Sequence, residues 1–142
     1  MIGLDCNILV QLAFADHAAN AKTIAMVQTE TQKGEKLVFP SLVVAEFLHV
    51  STDERRFVPP LTIAEALDWI EEFFKNPSVS LLEPNRASMD QTLRWMRQFN
   101  LGRKRILDTQ LAAILYCNGV RRLLTSNPAH FAVFGVLETV TP

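Results

Sequence analysis

The chain of 142 residues has only two cysteines, Cys6 and Cys117. Thiols so placed make neither a disulfide framework nor a paired metal-ligand motif, and a reducing, cytoplasmic compartment is the simplest expectation. The three histidines, His17, His49 and His130, show no H-x-x-x-H spacing, which removes the helical zinc-ligand arrangement. No apolar run approaches the roughly 18–20 residues that cross a bilayer. Nor does a basic segment precede an apolar stretch and cleavage site, so neither a membrane span nor secretion is expected. Excess charge of one sign is missing as well. Fourteen basic and 15 acidic residues leave a formal net charge of −1, so a nucleic acid would have to be held by local basic clusters. There is no Gly-rich phosphate loop. The Asp-x-Asp of aspartate-nucleophile phosphatases is also absent, because Asn7 stands two residues after Asp5. A Cys6–His nucleophile pair has no orienting feature to support it.

What remains is an ordinary globular composition, 49% hydrophobic and 20% charged, of a length that fits one domain over residues 1–142. Ile2 to Leu4 is a short apolar run that meets Asp5, Cys6 and Asn7 before apolar character resumes at Ile8, which reads as strand, turn and helix. Asp16 to Lys33 reads as a helix ended by Gly34. Leu37 to Phe39 reads as a buried strand stopped by Pro40, and Ser41 to Val50 as a helix with Ser41 as its N-cap. Thr62 to Glu65 spells a capping box. The helix behind it carries Ile63, Ala66, Leu67, Ile70, Phe73 and Phe74 on one face. Val79 to Leu82 is a further strand, and Asn85 to Asn100 a helix that Gly102 terminates. Ile106 to Cys117 is the next helix. Leu123 to Thr125 is a strand, Ser126 to Pro128 a turn, and Val136 to Val140 a last strand. This alternation predicts a single three-layer α/β domain, a short parallel sheet with helices on both faces.

Three carboxylates interrupt apolar sequence. Asp5 follows the first strand, where ligands of open α/β sheets bind. Glu46 lies between Ala45 and Phe47, and Asp108 between Leu107 and the apolar stretch from Leu111 to Leu115. Each has a plain alternative: Asp5 or Asn7 as a helix cap, Glu46 on a wet helix face, Asp108 as another cap. Buried carboxylates are costly unless paired or bonded, and three of them near strand ends and helix starts point to a shared site. A hard divalent cation relieves their repulsion and tolerates phosphate oxygens in its remaining positions. It can also activate water against a phosphodiester.

Leu4-Asp5-Cys6-Asn7, the stretch from Ser41 to Phe47, Ile106 to Ala113, and Leu123 to Phe131 come in an order that resembles the PIN-domain ribonucleases, above all the small VapC-type toxins of toxin–antitoxin pairs. The resemblance runs along essentially the whole chain. It implies that Asp5, Glu46 and Asp108 hold Mg²⁺ or Mn²⁺ and orient an attacking water, with Asn7 supporting Asp5 and Ser41 in the polar surroundings of Glu46. It also implies an RNA substrate, a small cognate antitoxin and a homodimer. The family often carries a further acid in the late turn. Here Asn127 and His130 occupy that region, so a single well-held ion is expected, with Asn127 as an additional contact. Arg103, Lys104 and Arg105 are candidates to hold RNA phosphates, with a solvated loop as their plain alternative. Arg55-Arg56 and Arg121-Arg122 are weaker candidates of the same kind. The rival functions are a catalytically weak RNA-binding or interaction module and a phosphodiesterase acting on DNA.

Overall fold

The computed structural model describes residues 1–142. Five strands build one sheet: β1 (Ile2–Leu4), β2 (Leu37–Pro40), β3 (Val79–Leu82), β4 (Arg122–Leu124) and β5 (Glu138–Val140). Their order is β3-β2-β1-β4-β5, and every neighbouring pair is parallel. β1 and β2 are buried at every position, as strands must be when helices cover both faces. Gly3 sits between Val38 and Leu123 in the ladder. A Cβ there would stand 2.7 Å from the Leu115 side chain, so its absence lets a helix lie close against the central strand.

The helices are α1 (Cys6–Ala13), α2 (Asn20–Gln32), α3 (Ser41–Ser51), α4 (Ile63–Phe74), α5 (Arg86–Gln98), α6 (Ile106–Cys117) and the short α7 (Pro128–Ala132). Parallel crossovers are right-handed. The chain steps outward from β1 to β3 through α1–α4 and returns to β4 and β5 through α5–α7, so the two groups cover opposite faces. Accordingly α1 packs on α2 and α3, α3 on α4, α5 on α6, and α6 on α7. The expected three-layer α/β domain is the one observed. The strand order reverses between β1 and β4, and that switch point opens a crevice at their carboxyl ends.

Several boundaries differ from expectation. The second helix starts at Asn20, not Asp16, because residues 15–19 turn before it begins. Pro40 is the N-cap of α3, and Ser41 is its first helical residue with no capping bond. The break after α5 comes at Asn100, whose φ of 48° is left-handed, two residues before Gly102. Pro128, read as part of a turn, opens α7, where proline's fixed φ and missing N–H suit the first helical position. The last strand is only Glu138–Val140. The expected capping box at Thr62 and Glu65 forms, and Asn85 with Ser88 makes a second. No helix is long and apolar enough to cross a membrane.

At the amino edge of the sheet an ion network ties elements together. Arg122 Nη1 donates to Glu30 Oε2 at 2.8 Å, and Lys33 Nζ to Glu30 Oε1 at 2.9 Å. Arg122 also lies 3.7 Å from Glu35, which takes the terminal ammonium of Met1. The Arg122 bond, with Lys33 adding to it, holds the Glu30 carboxyl down to about 2.

Candidate active site

The crevice at the switch point is a cleft of about 380 Å³ whose lining includes Asp5, Asn7, Glu46, Arg56, Asp108 and Asn127. All three carboxylates singled out in the sequence face it. Asp5 leaves β1 and is the N-cap of α1 by backbone geometry, yet its side chain makes no capping bond. Thr125 Oγ1 and Asn7 Nδ2 both donate to Asp5 Oδ2, each at 2.6 Å, which leaves Oδ1 without a side-chain partner. Thr125 is held in turn by the Asn127 N–H at 3.0 Å, and Asn7 Oδ1 accepts the Ser126 N–H at 3.1 Å. The start of α1 and the end of β4 are thus laced across the switch point, around one carboxylate.

Burial raises the pKa of Asp5; the Thr125 hydroxyl opposes the shift and the charge of Asp108 adds to it. Glu46, reaching in from α3, is pushed up to about 7, first by burial and then by Asp5 and Asp108, with Arg56 opposing. Three carboxylates therefore sense one another across the cleft and are only partly balanced. Asp108, in the first turn of α6, has a different setting. Arg105 Nε donates to its Oδ2 at 3.2 Å, and His130 Nδ1 stands 3.0 Å from the same oxygen. Arg105 Nη2 also donates to the His130 carbonyl, which joins the start of α6 to α7.

Cys6 lines the cleft as a buried thiol. Burial raises its pKa strongly, and Glu46 and Asp5 add to the effect, so a thiolate nucleophile is disfavoured.

The basic triplet divides. Lys104 lines the cleft, Arg105 is engaged with Asp108, and Arg103 is exposed outside the lining. Ser41 is exposed and does not reach the cleft. Arg122 belongs to the amino-edge network. Thr125, Phe57 and the Asp108 contact of His130 were not singled out from sequence as parts of a site, and Arg56 ranked below the triplet. Thr125 could have been found, since a hydroxyl directly after an apolar strand at a sheet's carboxyl end is placed to bond its neighbour's ligand. Arg56 and Phe57 carry no such signal, because they lie in a turn outside any helix or strand, with no periodicity to show which way it faces.

The donor set is one of hard oxygens, suited to Mg²⁺ or Mn²⁺. No three acidic, His or Cys side chains are gathered tightly enough to grip an ion by themselves. Mg²⁺ in general keeps several waters and takes only one or two carboxylates directly.

No protein-family model and no curated protein matches this chain. Solved structures do. A chain of VapBC2 from Rickettsia felis, bound to a DNA fragment from their promoter, superposes with a TM-score of 0.68 at 16% identity, covering 99% of this chain and 98% of that one. VapC20 from Mycobacterium tuberculosis, a Sarcin-Ricin loop cleaving toxin, gives 0.66 at 12% identity over 87% of each chain. A chain of VapBC-1 from nontypeable Haemophilus influenzae gives 0.65 at 18% identity, covering 99% and 98%. Along nearly its whole length, the chain has the α/β fold of the VapC-type PIN-domain toxins.

Proposed function

We propose that this chain is a divalent-metal-dependent endoribonuclease acting as the toxin of a toxin–antitoxin pair. The observation that carries the reading is the meeting of Asp5, Glu46 and Asp108 in one cleft at the switch point, with Asp5 unspent on capping its helix. Asp5, Glu46 and Asp108 are the residues that would hold the ion, with Asn127 at the cleft wall as a neutral contact. A bound ion would supply a polarised water and offset charge on the phosphate under attack.

The protein's own groups do the rest. Thr125 and Asn7 fix the Asp5 rotamer and favour its charged form by bonding to it. Arg105 and His130 hold Asp108 in one orientation. Arg56 and Lys104 line the cleft, where they draw in a phosphate and resist the repulsion of the acids. The carboxylates orient the attacking water directly at phosphorus, without a covalent enzyme intermediate. A small antitoxin that covers the cleft, and a homodimer, accompany the toxin reading. The fold shared with toxin–antitoxin complexes supports the first of these.

One observation favours a second reading, an RNA-binding module of low activity. The late turn offers Asn127 and His130 where a fourth acid would stand. Incubation of a mixed RNA pool, and of DNA, with Mg²⁺ or Mn²⁺ separates the readings. Wild-type protein should cleave RNA and an Asp5→Asn variant should not. RNA left equally intact by both would overturn the ribonuclease reading, and cleavage of DNA alone would replace it with a deoxyribonuclease.

A further inference from the structure

Beside the acidic cleft lies a second, smaller hollow of about 160 Å³, formed by Phe14, Asp16, His17, Phe57, Val58 and Pro59. The two share one side chain: Phe57 lines both. Pockets that bury a drug-sized ligand measure ~300–1,000 Å³, so this one takes a fragment, on the scale of a single flat ring.

Its walls suit such a ring. Phe57 stacks on Phe14 with centroids 4.1 Å apart and planes 15° from parallel, which makes a rigid aromatic surface. Val58 is 95% exposed at the rim, an apolar side chain with nothing of its own fold to cover it. His17 Nδ1 accepts the Ala19 N–H at 3.1 Å, which leaves Nε2 as the ring nitrogen with no partner in the fold. Asp16, exposed beside it, offers an acceptor for an amino group. Aromatic surface, apolar rim and a few polar edges are what recognises an unpaired base. The charge pattern agrees. Arg56 and Lys104 lie on the cleft side of Phe57, where phosphate belongs, and none of the hollow's six residues is Lys or Arg.

We propose that this hollow takes one unpaired nucleobase of the RNA whose backbone lies in the acidic cleft, with Phe57 as the wall common to both. The inference rests on the ribonuclease reading. Asp5 and Phe14 bracket α1, eight residues long and so about 12 Å. The base is therefore one flanking the scissile phosphate, held at a fixed offset from the carboxylates by a single rigid helix.

The test is fluorescence anisotropy with short fluorescein-labelled RNAs, single-stranded and duplex, on the Asp5→Asn protein so that no strand is cut. Adding Phe57→Leu should weaken single-stranded RNA by about fivefold or more, the lower end of what one stacked base contributes. Duplex binding should be unchanged, and Phe57→Trp should restore the loss. Asp16→Asn, at an exposed position, guards against a folding defect: it should change the ratio of affinities among RNA homopolymers by about fivefold or more. Single-stranded RNA bound equally well by the Phe57→Leu protein, or lost in parallel with duplex, would overturn the proposal, as would homopolymer ratios unmoved by Asp16→Asn. Those results leave the ribonuclease reading standing. Failure of the parent protein to bind any RNA removes both.

Discussion

At the amino edge of the sheet Glu30 is clamped by Arg122 and Lys33 and held down to about 2, whereas at the carboxyl edge Glu46 is pushed up to about 7 beside Asp5 and Asp108. The same sheet, a few residues long, separates the two. At the amino edge two acids each have two cations within 4 Å: Arg122 and Lys33 for Glu30, Arg122 and the Met1 ammonium for Glu35. At the carboxyl edge three acids face one cleft, and only Asp108 has close cationic company, from Arg105. Asp5 is instead dressed by neutral donors, Asn7 and Thr125. A structure that can pair its carboxylates, and does so at one edge, leaves them under-compensated at the other. That charge deficit is what a divalent cation would fill.

Substitutions separate the two edges. Asp5→Asn should lower RNA cleavage by more than the ~10–100-fold typical of losing a group behind a metal ligand, with little loss of fold, as measured by single-turnover cleavage and circular dichroism. Glu30→Gln should do the reverse. It removes the closest carboxylate of Arg122, leaving Glu35 at 3.7 Å, and should cost about 1 kcal/mol of stability, near the upper end for a partly exposed pair, while cleavage per folded molecule stays constant. Urea unfolding checks the first half and an activity titration the second. If both variants lose activity without losing stability, the edges do not differ in kind.

A milder change reaches Asp5 through its partner. Thr125→Val keeps the shape but removes the hydroxyl, and should weaken Mn²⁺ binding about tenfold. It also leaves the Asn127 N–H without its acceptor, so a stability measurement belongs with the titration. An unchanged Mn²⁺ affinity would show that the laced turn is structural only.

The pH responses of the metal-free protein should have opposite signs. The folded pKa of Glu30 lies below the ordinary 4.5, so its contribution is complete above 4.5 and fades as pH falls toward about 2. The folded pKa of Glu46 lies above 4.5, so the folded state binds its proton more tightly and stability falls as pH rises from 4.5 through about 7. Glu46→Gln should flatten the second slope, and Glu30→Gln the first, in denaturation curves collected across pH.

Much of this frame was legible in the sequence because it depends on short-range chemistry. The apolar runs at Ile2–Leu4 and Leu37–Phe39, and the capping box at Thr62, declare themselves within a few residues. Asp5, Glu46 and Asp108 stood out because carboxylates in apolar runs are costly without a reason. What was not legible depends on chain segments meeting. Arg105 reads as a free cation for phosphate, yet in the fold it is spent on Asp108 and the His130 carbonyl. Arg56 and Phe57 lie in a loop without periodicity, and in the fold both line the cleft, with Phe57 stacked on Phe14. α7 was hidden because Pro128, read as part of a turn, serves here as a helix start.

Calorimetric titration of Mn²⁺ into the folded protein at neutral pH tests the central claim most directly. Wild-type and Glu30→Gln protein should each bind about one ion per chain, with proton release as Glu46 gives up its proton, and Asp5→Asn protein should bind none under the same conditions. No binding to wild type, or equal binding to the Asp5→Asn variant, would contradict the assignment of the carboxyl-edge cleft as the metal site.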